Sequence, residues 1–229
     1  MKIGILDDSP DDRDWINQIL TSADHRVTQF ETGKALLRAL RTDSYDALIV
    51  DWNLPDLAGT EVIGKIRGEL LLDIPVILVT ARDTDMETAE GLKAGADDYI
   101  SKPAQKLVLL ARLEAITRRR IPNAAFGVAQ QFGNFSFDIA RRAIQRDGEP
   151  LVITDREFRV ALVLFQHLGR AVSRDYLLSA VWGHTTHLES RTLDVHISRV
   201  RSKLQLVPEF GWRLATVYGF GYRLETASE

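Results

Sequence analysis

Five aspartates, Asp7, Asp8, Asp11, Asp12 and Asp14, fall within eight positions directly after the apolar run Ile3 to Leu6. Carboxylates this close repel one another by about 1 kcal/mol per pair near 4 Å in water, and by about 4 at an effective dielectric of 20. A group of them held together therefore calls for a cation. Oxygen ligands with open positions suit Mg²⁺, which keeps waters and is often held by one or two carboxylates plus phosphate. Farther along, Asp51 ends the run "ALIV", Thr80 ends "PVILVT", and Ser101, Lys102 and Pro103 close "DYISKP". A carboxylate can also act as a nucleophile toward a phosphoryl group. Such transfer needs mainly positioning and charge neutralisation, which a metal and the Lys102 ammonium would supply.

That chemistry requires a fold that gathers distant residues at one edge. The first half of the chain alternates short apolar runs with segments of helical spacing. "KIGIL", "RVTQF", "ALIV", "PVILVT" and "DYIS" read as strands, each followed by a helix, the last being "AQKLVLLARLEAITRRR". Apolar strands alternating with helices imply an α/β unit, a doubly wound five-stranded parallel sheet covered on both faces. In such sheets ligands bind beyond the carboxyl ends of the strands, where the strand order reverses. Asp7 and Asp8, Asp51, Thr80, and Ser101 to Pro103 all stand at such ends. Asp11, Asp12 and Asp14 fall in the following helix, where they favour the positive end of its dipole and face water; no chemistry is expected of them.

The strings "ILDDSPDD", "IVDWNLPDLAG", "ILVTAR" and "GADDYISKPA" resemble the receiver domain of two-component response regulators, over residues 2–119. The resemblance implies a flavodoxin-like receiver whose Asp51 accepts a phosphoryl group from a sensor histidine kinase. It implies Mg²⁺ held by Asp8, by Asp7 largely through water, by Asp51 and by the backbone carbonyl of Asn53. It further implies that Thr80 and Lys102 bind the phosphoryl oxygens, that Lys102–Pro103 is cis, and that Tyr99 changes rotamer with Thr80 on activation. Asn53 and Arg82 match positions that tune water access to the phosphorylated site.

The chain has 229 residues, enough for one large or two ordinary domains, with 45% hydrophobic and 27% charged residues. It contains no Cys, which excludes disulfides, thiolate metal sites and cysteine catalysis. With no leader and no run able to span a bilayer, the cytoplasm is the expected compartment, without a membrane partner. Residues 1–122 carry 16 Lys and Arg against 21 Asp and Glu, and residues 123–229 carry 13 against 11. An acidic front and a mildly basic back suggest two modules with different partners.

Pro122 and Gly127 punctuate an aperiodic stretch, read as a linker over 120–130 between a receiver at 1–119 and a second domain at 131–226. Strand-like pieces "NFSFD", "RAIQR" and "PLVI" come next, with "RDGE" as a hairpin turn. Thr154 and Glu157 form a capping box before Phe158, Leu162 and Phe165. Ser173 caps a shorter helix ending near Trp182. In "ESRTLDVHISRVRSKL", Leu193, Ile197, Val200 and Leu204 make one apolar stripe. Arg191, Val195, Ser198, Arg199 and Ser202 fall on the other side, flanked by Thr192 and Arg201, a face suited to a major groove. "TVYGFGYRL" closes as a hairpin.

"YLLSAVWG", "RTLDVHISRVRSKL" and "TVYGFGYRL" together resemble the α+β winged-helix domain of OmpR/PhoB-type response regulators. The resemblance implies that helix 189–204 binds double-stranded promoter DNA. Arg199 and Thr192 match base contacts, and Trp182, Arg191, His196 and Arg201 match backbone contacts. Loop 183–188 matches a segment that touches RNA polymerase; its His184 and His187 are too few for a metal. Tyr218 stands where an Arg often enters the minor groove, and Ser198 where a second basic residue is frequent, so the salt dependence of binding should be weaker. Thr88 and Val108 replace a Lys–Glu pair that often bridges the receiver dimer, and Ala104 replaces a Phe. Asp98 with Arg112, and Asp97 with Arg119, remain as intersubunit pairs.

The expected function is a phosphorylation-controlled DNA-binding transcription regulator that dimerises when phosphorylated. It is not an enzyme, apart from promoting its own phosphorylation and dephosphorylation. One alternative is a phosphorylation-independent DNA-binding regulator whose receiver is a dimerisation scaffold. The other, an aspartate-nucleophile phosphatase, lacks a second carboxylate two residues after Asp51 and a substrate-binding cap.

Overall fold

The computed structural model describes residues 1–81, 85–118, 129–183 and 190–227, with only the backbone of 85–88, 118, 190 and 191. The chain divides into two compact units, Met1–Arg120 and Ile121–Glu229.

The first unit is built from β1 (Lys2–Leu6), α1 (Pro10–Thr21), β2 (Arg26–Phe30), α2 (Gly33–Ala39), β3 (Ala47–Val50), α3 (Gly59–Gly68), β4 (Val76–Thr80), α4 (Asp85–Lys93), β5 (Asp98–Ser101) and α5 (Lys106–Arg118). The five strands form one parallel sheet in the order β2-β1-β3-β4-β5. β3 and β4 are buried throughout because helices cover both faces, which explains their unbroken apolar runs. Alternate residues feed two cores. Ile3, Ile5, Ile49, Ile77 and Val79 pack with Leu109, Leu113 and Ile116 of α5. Leu6, Leu48, Val50, Val76 and Leu78 pack with Val62, Ile63 and Ile66 of α3.

The second unit opens with an antiparallel sheet of β6 (Gln130–Phe132), β7 (Phe135–Asp138), β8 (Ala143–Arg146) and β9 (Glu149–Leu151). Asp147 and Gly148 join β8 to β9, both at positive φ, the two-residue turn that matches strand twist. Then come α6 (Asp155–Gln166), β10 (Ala171–Ser173), α7 (Arg174–Trp182), α8 (Ser190–Lys203), β11 (Trp212–Val217) and β12 (Gly221–Thr226). The last three strands pair in the order β10-β12-β11. Phe132, Phe135, Phe137, Phe165 and Trp212 meet at ring-centroid distances of 4.9–5.6 Å at the centre of its core.

Two short strands, β6 and β10, were not expected from the sequence. β6 begins at Gln130, inside the span read as a linker. The rest of that span, apart from Ala129, lies outside the described residues, as do Arg82, Arg119, His184 and His187.

Candidate functional site: a carboxylate–lysine cluster and an arginine-bearing helix

The sheet brings Asp7 and Asp51 side by side. β1 and β3 are neighbours in register Leu6↔Val50, and each aspartate is the next residue of its strand. The Asp51 amide donates to the Leu6 carbonyl at 2.7 Å, continuing the ladder to the sheet edge. This is also where strand order reverses, with β2 on one side of β1 and β3 on the other. Carboxylate oxygens of Asp7, Asp8 and Asp51 lie within 4.8 Å of one another; Asp7 and Asp51 are buried and Asp8 is exposed.

β4 and β5 supply the other half. Thr80 is buried opposite Ser101, and the Lys102 amide donates to the Thr80 carbonyl at 2.7 Å. This sends the Lys102 side chain back across the sheet edge. Its ammonium donates to Asp7 Oδ2 at 2.7 Å and to Asp12 Oδ2 at 2.8 Å, and lies 3.1 Å from Asp51 Oδ1. Lys102–Pro103 is cis, as expected. Tyr99 is half-buried against the α3-side core and lines a cleft of about 310 Å³ with Ile100, Ser101, Pro103, Val108 and Arg112.

Burial raises the Asp51 carboxyl above the ordinary carboxylate range, outweighing the opposing pull of Lys102. Burial alone would lower the Lys102 ammonium. Its hydrogen bonds to Asp12 and Asp7 and the Asp51 charge instead hold it above the ordinary lysine value. The site therefore keeps its cation under all ordinary conditions.

Two supporting residues escaped the sequence reading. Arg13 is buried, and its Nη1 donates to the carbonyls of Asp7 at 2.7 Å and Asp8 at 3.2 Å. Its Nη2 reaches Glu31, just beyond β2, at 3.1 Å. The acidic loop is thus tied down from beneath. Gly59 is the other. A Cβ there would lie 2.1 Å from the Asp51 carbonyl oxygen, so the start of α3 can close over the loop after Asp51 only with glycine. Asp12 corrects an expectation directly. It was placed among solvated helix acids, yet its carboxylate binds Lys102.

The expected intersubunit acids have partners within one chain. Asp98 Oδ1 accepts from Arg112 at 2.6 Å, and Asp97 Oδ2 accepts from Arg67 at 3.0 Å and from the Val76 amide at 2.8 Å. Asp97 precedes an edge strand and is used to tie β5 to α3 and β4.

In the second unit, α8 buries Leu193, Ile197, Val200 and Leu204, as the stripe requires. Val195, Ser198, Arg199 and Ser202 are exposed. Arg199 has no hydrogen-bond or ion-pair partner among the described residues, which leaves its fork free for a ligand. His196 and Trp182 meet edge to face at 5.1 Å, and His196 Nδ1 contacts the Thr192 carbonyl at 2.9 Å. Tyr218, at the tip of the β11–β12 hairpin, is fully exposed. Arg201 also has a structural partner. Its Nε and Nη2 donate to the Leu214 carbonyl at 3.1 and 2.8 Å. β11 is an edge strand, and Arg201, beside the apolar stripe, supplies the donor that this carbonyl lacks within the sheet.

Two further contacts hold α8. Arg174 Nη2 binds Asp194 at 2.7 Å, and the Tyr222 hydroxyl donates to the same carboxylate. Lys203 Nζ donates at 2.7 Å to Glu157, the buried acid of the α6 capping box.

Residues 3–114 match the family model described as response regulator receiver domain, and residues 148–224 match transcriptional regulatory protein, C terminal. The chain is 36% identical over 221 residues to the transcriptional regulatory protein AfsQ1 of Streptomyces coelicolor, covering 96% of each. It is 35% identical over 225 residues to the phosphate regulon transcriptional regulatory protein PhoB of Pseudomonas aeruginosa, covering 98% of this chain and 97% of that one. With the sensory transduction protein RegX3 of Mycolicibacterium smegmatis it shares 33% over 224 residues, covering 96% and 97%. A sheet edge that gathers acids around a lysine, joined in one chain to an arginine-bearing helix beside a hairpin, agrees with these matches along its whole length: the chain belongs to the OmpR/PhoB-type response regulators, phosphorylation-controlled DNA-binding regulators of transcription.

Proposed function

We propose that Asp51 is the phosphoryl acceptor, with Lys102 and Thr80 receiving the phosphoryl oxygens. The observation that carries this reading is the single ammonium that reaches both Asp7 and Asp51 at the end of buried strands. The donor set suits a hard cation: Asp7, Asp8 and Asp51 offer only oxygen, close together, and the backbone carbonyl of Asn53 completes the proposed set. Mg²⁺ bound there would offset charge on the phosphoryl group. The protein's own part is to orient. The Asn53 amide donates to Asp51 Oδ2 at 2.8 Å, which leaves Oδ1 facing Lys102 as the attacking atom.

Transfer from a kinase phosphohistidine adds charge beside Thr80 and Lys102. By analogy with phosphoserine, that charge is about −1.5 to −2. Thr80 moves toward it, Tyr99 follows, and the population shifts toward a dimer at the α4–β5–α5 face. The dimer places two α8 helices on paired half-sites of promoter DNA, with Arg199 and Thr192 facing bases. Trp182, Arg191, His196 and the remaining Nη1 of Arg201 serve the phosphate backbone, and the segment before α8 meets RNA polymerase. The protein works in the cytoplasm and turns over no substrate other than its own phosphoryl group.

The test is incubation with acetyl phosphate and Mg²⁺ followed by phosphate-affinity electrophoresis. Wild type should give a retarded band that Asp51→Ala abolishes. A band that persists in Asp51→Ala moves the acceptor to another residue. Equal promoter affinity with and without phosphorylation would favour the scaffold reading.

A further inference from the structure

Lys102 is claimed by one acid more than the transfer chemistry uses. An ammonium has three donors. Here they face Asp7, Asp51 and Asp12, at 2.7, 3.1 and 2.8 Å. Asp7 and Asp51 come from the ends of buried strands. Asp12 comes from the first turn of α1, and its side chain is 44% exposed. α1 starts at Pro10 directly beyond the acidic loop, with Ser9 as N-cap accepting from the Asp12 amide at 3.4 Å. This geometry hangs the Asp12 carboxylate over the open side of the cluster.

We infer that Asp12 is a positioning residue that restrains phosphorylation by occupying one donor of Lys102 and placing a fixed negative charge at the mouth of the site. The inference rests on the reading of Asp51 as acceptor. In the step concerned, an Asp51 carboxylate oxygen bonds to phosphorus as the bond from phosphorus to the acetate oxygen of acetyl phosphate breaks. Acetate leaves with that electron pair, and no proton is gained or lost. A dianionic donor must approach past Asp12, and Lys102 must turn one donor from Asp12 to the incoming oxygens. Asp12 slows both events. Because it is half-exposed, its carboxylate can swing to water once the phosphoryl group has claimed Lys102.

The experiment compares initial phosphorylation rates of the full-length protein with acetyl phosphate and Mg²⁺ in wild type, Asp12→Asn, Asp12→Ser and Asp11→Asn. Removing one charge that faces a dianion across a water-filled mouth should raise the rate about five-fold at low ionic strength. The gain should fall below about two-fold at high salt, where screening acts within a few ångströms. A merely structural role would not give that salt dependence. Asp11 is exposed and touches no described cation, so Asp11→Asn removes equal net charge and should gain less than half as much. Asp12→Asn and Asp12→Ser rates at or below wild type, or an equal gain in Asp11→Asn, would overturn the inference. Labelling that survives Asp51→Ala instead overturns the acceptor assignment, and this inference with it.

Discussion

Glu157 and Lys203 join α6 to α8, the proposed DNA-binding helix, and the pair is unequal in a way that fixes the outcome of mutation. Glu157 is 1% exposed, whereas the Lys203 side chain is 38% exposed. In Glu157→Gln the amide oxygen keeps the bond from the Thr154 amide, now 2.8 Å, and Lys203 turns to water. The loss is one half-exposed charged hydrogen bond, about 1 kcal/mol. In Lys203→Met the carboxylate has no route to water. It must stay charged without its partner or take up a proton. From the ordinary glutamate value of 4.5, protonation at pH 7 costs about 3 kcal/mol, which sets a ceiling. The predicted cost is therefore about 2–3 kcal/mol. A domain of this size loses roughly 4–8 °C in Tm per kcal/mol. Calorimetry of the full chain, with hydrogen exchange over residues 155–166 to assign the transition, should show a drop of roughly 5 °C for Glu157→Gln and at least twice that for Lys203→Met. The double variant should resemble Glu157→Gln alone. Burial alone would raise the Glu157 carboxyl, but Lys203 and the Thr154 amide hold it below its ordinary value. The stabilisation is thus full above 4.5 and is lost as pH falls through the lower folded-state value; Glu157→Gln lacks this acid-side loss. If Lys203→Met costs no more than Glu157→Gln, or if the two losses simply add, the reasoning from unequal burial is refuted.

The two arginines of α8 should separate cleanly. Arg199→Ala should cost about 1–3 kcal/mol at a cognate site in fluorescence-anisotropy titrations while leaving Tm unchanged. Arg201→Ala orphans the Leu214 carbonyl and should lower stability by about 1–3 kcal/mol without selectively weakening cognate over random DNA. Gly59→Ala forces a methyl against the Asp51 carbonyl, a predicted loss of about 1–3 kcal/mol in denaturant unfolding of the receiver, together with slower phosphorylation. Unchanged stability there would mean that α3 can withdraw from the loop after Asp51 at no cost.

Much of the receiver site was readable because parallel strands deliver their last residues to one edge. Asp7 and Asp51 follow plain apolar runs, Thr80 ends one and Lys102 follows the short strand β5, so topology alone brings them together. Asp12 was misread for the converse reason. Its environment depends on where α1 begins relative to the sheet edge, and helical periodicity says nothing about that offset. A clue existed in Ser9-Pro10, which starts the helix so near the strand that its first turn overhangs the site. The bond from Arg201 to Leu214 was not legible, because helix phase separates faces but cannot reveal an edge-strand carbonyl 13 positions later. β6 and β10 have three residues each, too few to display a period of two. The Glu157–Lys203 pair spans 46 positions, and only the packed helices reveal it.

Arg13 has a consequence for any cation that the acidic cluster would hold. Its guanidinium clasps the Asp7 and Asp8 carbonyls and anchors them to Glu31 beside β2, so the loop is set when the chain folds. A divalent cation held there by the Asp7, Asp8 and Asp51 carboxylates would meet a loop already in place and would cost little ordering entropy. Loading a cation at this edge would then need no rearrangement of the loop that carries Asp7 and Asp8.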